Sequence, residues 1–442
     1  MNTSFAGHYT YGGLLKITFP SMIMLVFTSI YGVVDGFFVS NYVGKAAFTA
    51  VNFIMPFLMM LGALGFLLGT GGGALIAKTM GERRPQQANR LFSMVVYISL
   101  ICGVILSAGG ILLLRPLARA MGAEGELLEN SVRYGRVILL AIPVYILQYE
   151  FQCLFATAGK PKLGLYVTVA AGVTNMVLDW LFVAVLPWGL EGAAAATAIS
   201  QCVGGIIPLV YFARPNTSLL RLGRFYLDGR SLAQICLNGS SELLSNISMS
   251  LVNMLYNIQL LHYAGEDGIA AYGVLMYVSM IFQALFIGYC VGSAPVVSFH
   301  YGAQNHEELK SLRRKSLALI SVFALAMFAA AWGLSRPLAR LFVGYDPGLF
   351  ELTVRAFFLF SFSFLFAGFS IFGSSFFTAL NDGLVSAAIS FLRTLVFQVA
   401  AVLLLPGILG VDGIWISVTA AEILSVGVTI AFLKGKQKRY EY

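Results

Sequence analysis

Long apolar runs alternate with short polar segments along this chain. Each run is about as long as a helix needs to cross a bilayer, which takes about 20 residues. Charge clusters and turns rich in Gly, Pro or Asn separate the runs and divide the chain into twelve predicted spans. Spans 1 to 12 are predicted at residues 14–40, 48–77, 92–114, 133–158, 163–187, 192–213, 233–262, 269–299, 316–335, 353–380, 384–405 and 412–433. The pattern therefore predicts an all-α polytopic membrane protein.

The composition excludes a soluble protein and a disordered one. Of the 442 residues, 58% are hydrophobic and 11% are charged, whereas soluble domains carry about 25% charged residues. Disorder requires low hydrophobicity together with high charge. The net charge of +8 does not indicate nucleic acid, because the basic residues lie in short clusters between apolar runs, as in cytoplasmic membrane loops. We therefore expect the lipid bilayer, and no nucleic acid, as the partner of this surface.

The basic residues also predict the orientation. An even number of spans places both termini on one side of the membrane. Basic residues are more than twice as frequent on that side, where the clusters at 83–90, 310–315 and 434–439 lie. Cytoplasmic loops carry such an excess. The sequence therefore predicts a multi-pass protein of the cytoplasmic (inner) membrane with both termini in the cytoplasm.

The sequence repeats itself at an offset of 221 residues, half its length. Arg115-Pro-Leu-Ala-Arg119 recurs as Arg336-Pro-Leu-Ala-Arg340, and several glycines coincide at the same offset, namely Gly44 with Gly265, Gly71 with Gly292 and Gly81 with Gly302. Each half holds six spans, so a pseudo-two-fold axis along the membrane normal is expected. The predicted organisation is an N-terminal lobe at 1–212, a cytoplasmic linker at 213–231 and a C-terminal lobe at 232–442. Such repeats are typical of transporters; a channel or scaffold is the alternative.

Ionisable side chains within the spans mark candidate functional positions. Each costs at least about 2.5–3.5 kcal/mol to insert at the bilayer centre. Arg393 is the one base in the predicted spans' interior, and the acids there are Asp35, Glu150, Asp179, Glu242 and Glu422. This excess of acids favours a cationic substrate over an anionic one.

Four polar positions of the first half are aromatic or apolar in the second half. At the repeat offset Asp35 corresponds to Tyr256, Asn175 to Val396, Asp179 to Ala400 and Thr197 to Val418. Asn175 and Asp179 are four residues apart and so share one helix face. Carboxylate, amide and hydroxyl oxygens suit a small hard cation, and a carboxylate can carry a proton instead. The pattern predicts one ion site in the first half; a structural hydrogen-bond network is the alternative.

Several motifs resemble those of one transporter family. Asn175-Met-Val-Leu-Asp179 followed by Gly192-Ala-Ala-Ala-Ala-Thr197 resembles the fifth-to-sixth helix signature of the multidrug and toxin extrusion (MATE) transporters. Val34-Asp35-Gly36 with Asn41-Tyr-Val-Gly44 resembles their first helix, and Gly302-Ala-Gln-Asn305 resembles the corresponding loop of their second half. The resemblance covers essentially the whole chain and is greatest to the bacterial DinF-type and MepA-type branches.

The resemblance implies roles for four residues. Asp35, Asn175, Asp179 and Thr197 are expected to bind the coupling ion, Na⁺ or H⁺, and no other cofactor is expected. A sodium site of the NorM type in the second half is not expected, because the tenth span has no internal acid.

Further residues are candidates for a substrate cavity. Aromatic faces bind organic cations, and Met packs around varied shapes, although most such side chains in a bilayer face lipid or neighbouring helices. The candidates are Glu150, Glu242, Tyr256, Met280, Phe282, Gln283 and Phe286. Arg393 and Glu422 are expected to form a structural pair, because an unpaired buried charge is costly.

Together these features predict a secondary active transporter and not an enzyme, since no catalytic constellation is present. It is expected to export amphipathic organic cations by antiport with Na⁺ or H⁺ through alternating access, and to be monomeric. The alternative is a flippase for a lipid-linked cell-envelope precursor of the same superfamily, for which Arg393 would supply a basic group.

Overall fold

A computed structural model of the protein describes residues 5–344 and 346–442, except for the side chains of Ser40 and Lys45. Within these ranges ten helices are long and apolar enough to cross a membrane, and a bent pair of helices adds an eleventh span. The helical segment Gly229–Gly302 has 74 residues. Gly265 breaks it with a φ of 66° and a ψ of −157°. It therefore contains spans 7 and 8, which completes the twelve predicted spans.

The observed helices coincide with the predicted spans to within several residues. In the first half they are Tyr11–Val43, Ala46–Gly81, Pro85–Ala120, the pair Gly125–Leu140 and Ile142–Thr157, Pro161–Val185 and Gly189–Ala213. In the second half, the two parts of Gly229–Gly302 are followed by His306–Gly333, Pro347–Ala379, Gly383–Leu409 and Val411–Tyr440. Most helices extend beyond the apolar core because their polar end turns are also helical.

Capping residues explain where several helices begin. The side chain before spans 1, 7 and 9 accepts a hydrogen bond of 3.1 Å from a first-turn backbone N–H, the residues being Thr10, Asp228 and Asn305. Such caps satisfy N–H groups that have no partner within the helix. Spans 3, 5 and 10 begin with proline, where the missing N–H costs nothing.

The sequence repeat is also a structural repeat. Gly44 and Gly265, each between the first two spans of its half, have positive φ angles of 114° and 66°. Gly189 and Gly410, each before the last span of its half, both have a φ of 63°. Glycine is favoured at such angles because it lacks a Cβ. Equivalent turns therefore use equivalent glycines.

The two halves contact each other reciprocally. Thr18 of span 1 packs against Gly292 of span 8, and Gly239 of span 7 packs against Leu67 and Gly71 of span 2. At the 221-residue offset Thr18 is equivalent to Gly239, and Gly71 is equivalent to Gly292. This exchange of roles is what a two-fold axis produces. The two six-helix lobes are thus related as the repeat predicts.

These contacts lie on the side of the molecule that carries both termini, which we call the terminal side. A further contact joins the ends of spans 2 and 8, where Gly81 faces the Phe299 carbonyl and Gly302 faces the Lys78 carbonyl. A Cβ at either glycine would collide with backbone atoms of the other half. The two halves are therefore in close backbone contact on the terminal side.

The segment before span 1 adds a polar contact between the halves on this side. Phe5 and Tyr9 pack on the end of span 8. His8 Nδ1 lies 2.5 Å from Glu308 Oε2 in span 9, and the Tyr9 N–H donates to Glu308 Oε1 at 3.0 Å. Lys315 Nζ donates to the Tyr9 carbonyl. Burial, together with the Glu308 carboxylate, raises the pKa of the Tyr9 hydroxyl to about 12.

Two regions depart from the geometry of a single straight span. Span 4 bends by 60° between Leu140 and Ile142. In the second half the repeated Arg336–Arg340 motif lies in a separate short helix, Ser335–Val343, whereas in the first half it ends span 3. Apolar length alone reveals neither feature.

Candidate functional site

The four polar residues predicted for an ion site come together inside the first half. Asp35 lies in span 1, Asn175 and Asp179 in span 5, and Thr197 in span 6. Asp35 is 8% exposed and Asp179 is 0% exposed. Asn175 Nδ2 donates to Thr197 Oγ1 at 3.5 Å. The Asp35 carboxyl lies close to both the Asp179 carboxyl and the Thr197 hydroxyl.

π-Helical turns follow both aspartates. Span 1 is α-helical as far as Phe38 and continues as a π-helix at Val39–Val43. Span 5 is α-helical as far as Asp179 and continues as a π-helix at Trp180–Val185. Such turns are rare and occur frequently at functional sites. Both acid-bearing helices thus change geometry close to their acid.

The buried oxygens of this site lack hydrogen-bond donors among the described residues. This holds for Asp35 Oδ1, Asn175 Oδ1 and both carboxylate oxygens of Asp179. Two ionised carboxylates can only accept hydrogen bonds, and they repel each other at short range. A proton on one carboxyl, or a cation bound by both, removes this cost. The oxygen donors fit a hard cation such as Na⁺.

Any bound cation would be held by mixed oxygen ligands. Among the described residues, no three His, Cys, Asp or Glu side chains are grouped so that they could hold a metal ion. Asp35 and Asp179 supply carboxylates, Asn175 an amide oxygen and Thr197 a hydroxyl.

Tyr134 belongs to the same cluster and was missed by the sequence comparison. It lies in span 4, is 0% exposed, and its hydroxyl lies near Thr197 but has no hydrogen-bond partner among the described residues. Its neighbours Arg133 and Arg136 indicate a membrane boundary, and its counterpart at the repeat offset, Arg355, is also polar. A comparison of the two halves therefore does not identify Tyr134 as a candidate site residue. Its hydroxyl can donate to a carboxylate or offer a lone pair to a cation.

The equivalent region of the second half is neutral and its polar groups are paired. Tyr256, the counterpart of Asp35, donates its hydroxyl hydrogen to Gln398 Oε1 at 2.9 Å and stacks on Tyr272 at 5.4 Å between ring centroids. Tyr272 in turn donates to Asn253 Oδ1 at 2.9 Å. The asymmetry seen in the sequence is thus a difference between a cluster of unpaired oxygens and a paired network.

A cavity of about 220 Å³ lies between the two halves. Spans 2, 4, 7, 8, 10 and 11 form its wall. Two of the predicted cavity residues, Glu242 and Gln283, line it, and so does Arg393. Hydroxyl groups complete much of the polar wall, among them Ser374, Thr378 and Ser390.

The other predicted cavity residues lie elsewhere. Tyr256 and Phe286 are 1% and 0% exposed and pack within helices of the second half. Phe282 packs against the core of that half, and Met280 is 43% exposed. Glu150 is 0% exposed on span 4, and neither of its carboxylate oxygens has a hydrogen-bond donor among the described residues. None of these five lines the 220 Å³ cavity.

The structure joins Arg393 and Glu422, the expected pair. Arg393 Nε donates to both Glu422 oxygens at 3.0 Å, and a terminal guanidinium nitrogen lies 2.9 Å from Oε1. The side chains are 14% and 4% exposed. Since this guanidinium is already neutralised, it is not a free cation for an anionic substrate, and the flippase alternative loses its main support.

Twelve apolar spans in two repeated lobes, with a cluster of unpaired buried acids in one lobe and a cavity between the lobes, define a polytopic membrane transporter. A family profile described as MatE matches residues 20–181 and 243–403, one match in each half. The chain therefore belongs to the MatE family of membrane transporters, and it is not an enzyme.

Curated relatives and solved structures agree with this assignment. Multidrug export protein MepA of Staphylococcus saprophyticus is 24% identical over 420 residues, which cover 93% of this chain and 91% of that protein. MepA of Staphylococcus aureus is 23% identical over 364 residues, 80% of each chain.

Two solved structures share the fold. One is an outward-facing multidrug resistance MATE family transporter of the MOP superfamily, with a TM-score of 0.92, 24% identity, and coverage of 97% of this chain and 96% of that one. The other is a MOP superfamily transporter from Pyrococcus furiosus, with a TM-score of 0.90, 23% identity and the same coverage.

Proposed function

We propose that this chain is a secondary transporter that exports amphipathic organic cations in exchange for Na⁺ or H⁺. The observation that carries the proposal is the buried pair Asp35 and Asp179: Asp35 Oδ1 and both Asp179 oxygens lack donors among the described residues, while the equivalent region of the second half is neutral. The excess of acids over bases inside the spans supports a cationic substrate. The relatives named multidrug export proteins support a small organic one.

In this proposal Asp35 and Asp179 carry the coupling ion, and Asn175, Thr197 and Tyr134 assist as neutral ligands. A proton or Na⁺ removes the repulsion between the two carboxylates and so favours the packing of spans 1, 5 and 6 around them. When the ion leaves, the repulsion favours a different position of span 1. Ion binding is therefore linked to the conformation of one helix.

Span 1 connects the ion site to the contact between the halves. Asp35 lies toward one end of this helix, and Thr18, near the other end, packs against span 8 of the second half. A change at Asp35 can therefore reach the interface through a single helix. We propose that the halves rock about their contact on the terminal side, and that the present arrangement is open toward the opposite side.

Efflux of a fluorescent organic cation from energised cells tests this function. The parent is compared with Asp179→Asn, with and without Na⁺ and at two pH values. Tyr256→Phe is the matched control, because it removes one polar group at the equivalent place in the second half. We expect active efflux to fall at least about tenfold in Asp179→Asn and to stay near the parental rate in Tyr256→Phe. The Na⁺ and pH comparisons identify the coupling ion.

Two results would count against the proposal. Unchanged, ion-dependent efflux in a variant with both aspartates neutralised would show that the cluster is structural. No efflux from the parent, at normal expression and for a panel of organic cations, would refute the substrate class and favour the flippase alternative.

A further inference from the structure

The two halves differ in what covers the groove between their third and sixth spans on the terminal side. In the first half, between spans 3 and 6, the groove is filled by the segment that joins the halves. Backbone N–H groups of residues 221–223 donate to Asn89 Oδ1, Ser93 Oγ and the Phe212 carbonyl at 2.8–2.9 Å. Leu220 of the same segment is 0% exposed.

The equivalent groove of the second half, between spans 9 and 12, is open. At the repeat offset the three residues that bind the linker correspond to Lys310, Arg314 and Leu433. All three line a groove of about 570 Å³. Tyr442 reaches one edge of it, where its hydroxyl donates to the Leu433 carbonyl. Tyr442 thus binds one of the three equivalent groups, and in the described part of the chain no polypeptide covers the other two, Lys310 and Arg314.

Two helix faces with the same spacing form this groove. The face of span 9 consists of Lys310, Arg313, Arg314 and Leu317, and the face of span 12 consists of Ile430, Leu433, Lys434 and Gln437. Each set follows the i, i+3, i+4, i+7 pattern of one helical face. Span 9 begins and span 12 ends on the terminal side, so the charged residues lie outermost. We call Lys310, Arg313, Arg314 and Lys434 the basic mouth, and Leu317, Ile430 and Leu433 the apolar floor.

The charges of the basic mouth are not neutralised by protein. Glu307 is the one acid that lines the groove. Within the described parts of the chain, no ion pair involves a residue of the basic mouth; Arg313 lies over the Tyr442 ring at 5.0 Å. Four cations at a membrane boundary attract a phosphate group, and an apolar surface below them suits an acyl chain.

We propose that this groove binds an anionic phospholipid from the leaflet on the terminal side. Its phosphate contacts the basic mouth and one acyl chain lies along the apolar floor. The lipid takes the place in the second half that the linker takes in the first. This site is separate from the ion cluster and the central cavity, and it does not depend on which ion or substrate is transported.

Native mass spectrometry of the purified full-length protein tests the proposal. The protein is titrated with phosphatidylglycerol and with phosphatidylcholine of the same acyl chains. The groove variant is Arg313→Gln/Arg314→Gln/Lys434→Gln, and the matched control, Lys16→Gln/Lys162→Gln/Arg224→Gln, removes three charges of the same side from outside the groove. We expect the parent and the control to prefer phosphatidylglycerol at least about tenfold. The groove variant should bind it about a hundredfold more weakly.

Further arms separate a lipid site from a simple phosphate site. Glycerol phosphate, which has the head group without acyl chains, should displace the lipid only at far higher concentration; equal potency would overturn the lipid assignment. Equal affinity for the two lipids, or equal loss in groove variant and control, would also overturn it. If the triple groove variant does not fold, Arg314→Gln alone should weaken binding about fivefold.

Discussion

At the scale of single residues, the buried ionisable groups of this molecule differ in whether another side chain pairs with them. Arg393 and Glu422 neutralise each other across spans 11 and 12. Asp35 Oδ1 and both carboxylate oxygens of Asp179 have no hydrogen-bond donor among the described residues. Burial is similar in both cases, so it does not separate them. What separates them is the missing donor, which a proton or cation from outside has to replace.

The pair in the second half leads to a stability prediction. Glu422→Gln leaves a guanidinium that cannot lose its proton in a nearly buried position, whereas Arg393→Gln leaves a carboxyl group that can be protonated. We expect Glu422→Gln to cost about 3 kcal/mol of stability, Arg393→Gln less, and the double variant Arg393→Met/Glu422→Leu least. Melting temperatures of the purified proteins measure this order. A double variant as unstable as Glu422→Gln would contradict it.

Residue identity alone predicted the ion cluster but not the cavity wall. Asp35 and Asp179 could be selected because each replaces an apolar or aromatic counterpart at a fixed offset. Tyr256 and Phe286 are of types that can either bind a ligand or pack in a core. Only the rotation of their helices decides between these roles, and that rotation is set by neighbouring helices.

At the scale of helices, apolar length predicted all twelve spans but not their irregularities. Hydropathy reports how much of a helix can lie in lipid, and it is insensitive to helix geometry. The bend of span 4 and the π-helical turns after Asp35 and Asp179 depend on local backbone geometry. The glycines of the repeat, in contrast, did indicate where helices approach closely.

The contact between spans 2 and 7 gives a prediction for these glycines. A methyl group at Gly239 would collide with the Leu67 carbonyl oxygen, whereas one at Gly273 of span 8 would meet nothing within 4 Å. Gly239→Ala should therefore cost about 1–3 kcal/mol by overpacking, and Gly273→Ala should be neutral or stabilise the helix by up to about 1 kcal/mol. Thermal melting of the two purified variants checks this, and equal melting temperatures would refute the close contact.

At the scale of the whole molecule, the linker is part of the first half and not a loose connection. Its backbone is held by the side chains of Asn89 and Ser93. Sequence composition indicated a polar connection at 213–231 but could not show that it fills a groove, because a bound strand and a free loop have similar composition.

Limited proteolysis tests this attachment. Asn89→Ala/Ser93→Ala removes two hydrogen-bond acceptors, each worth about 1 kcal/mol, so the linker should be released about tenfold or more often. Trypsin should then cut after Arg221 or Arg224 correspondingly faster and yield two fragments of about half the chain. Asn52→Ala, whose amide bonds only its own helix, is the control. Equal cleavage rates in both variants would show that these bonds do not hold the linker.

This attachment extends to Asp228, the residue before span 7, whose N–H donates to the Met94 sulfur at 3.3 Å. Span 7 starts at the next residue, so no free residues separate the attached linker from this helix, and in the proposed rocking motion span 7 turns about Gly229. Measured along the helix from there, Gly239 lies about 15 Å away and residue 264 about 53 Å away. A displacement of about 1 Å at the glycine contact is therefore multiplied about three- to fourfold at the far end. In the proposed rocking motion, small displacements beside the termini therefore become larger displacements on the opposite side of the molecule.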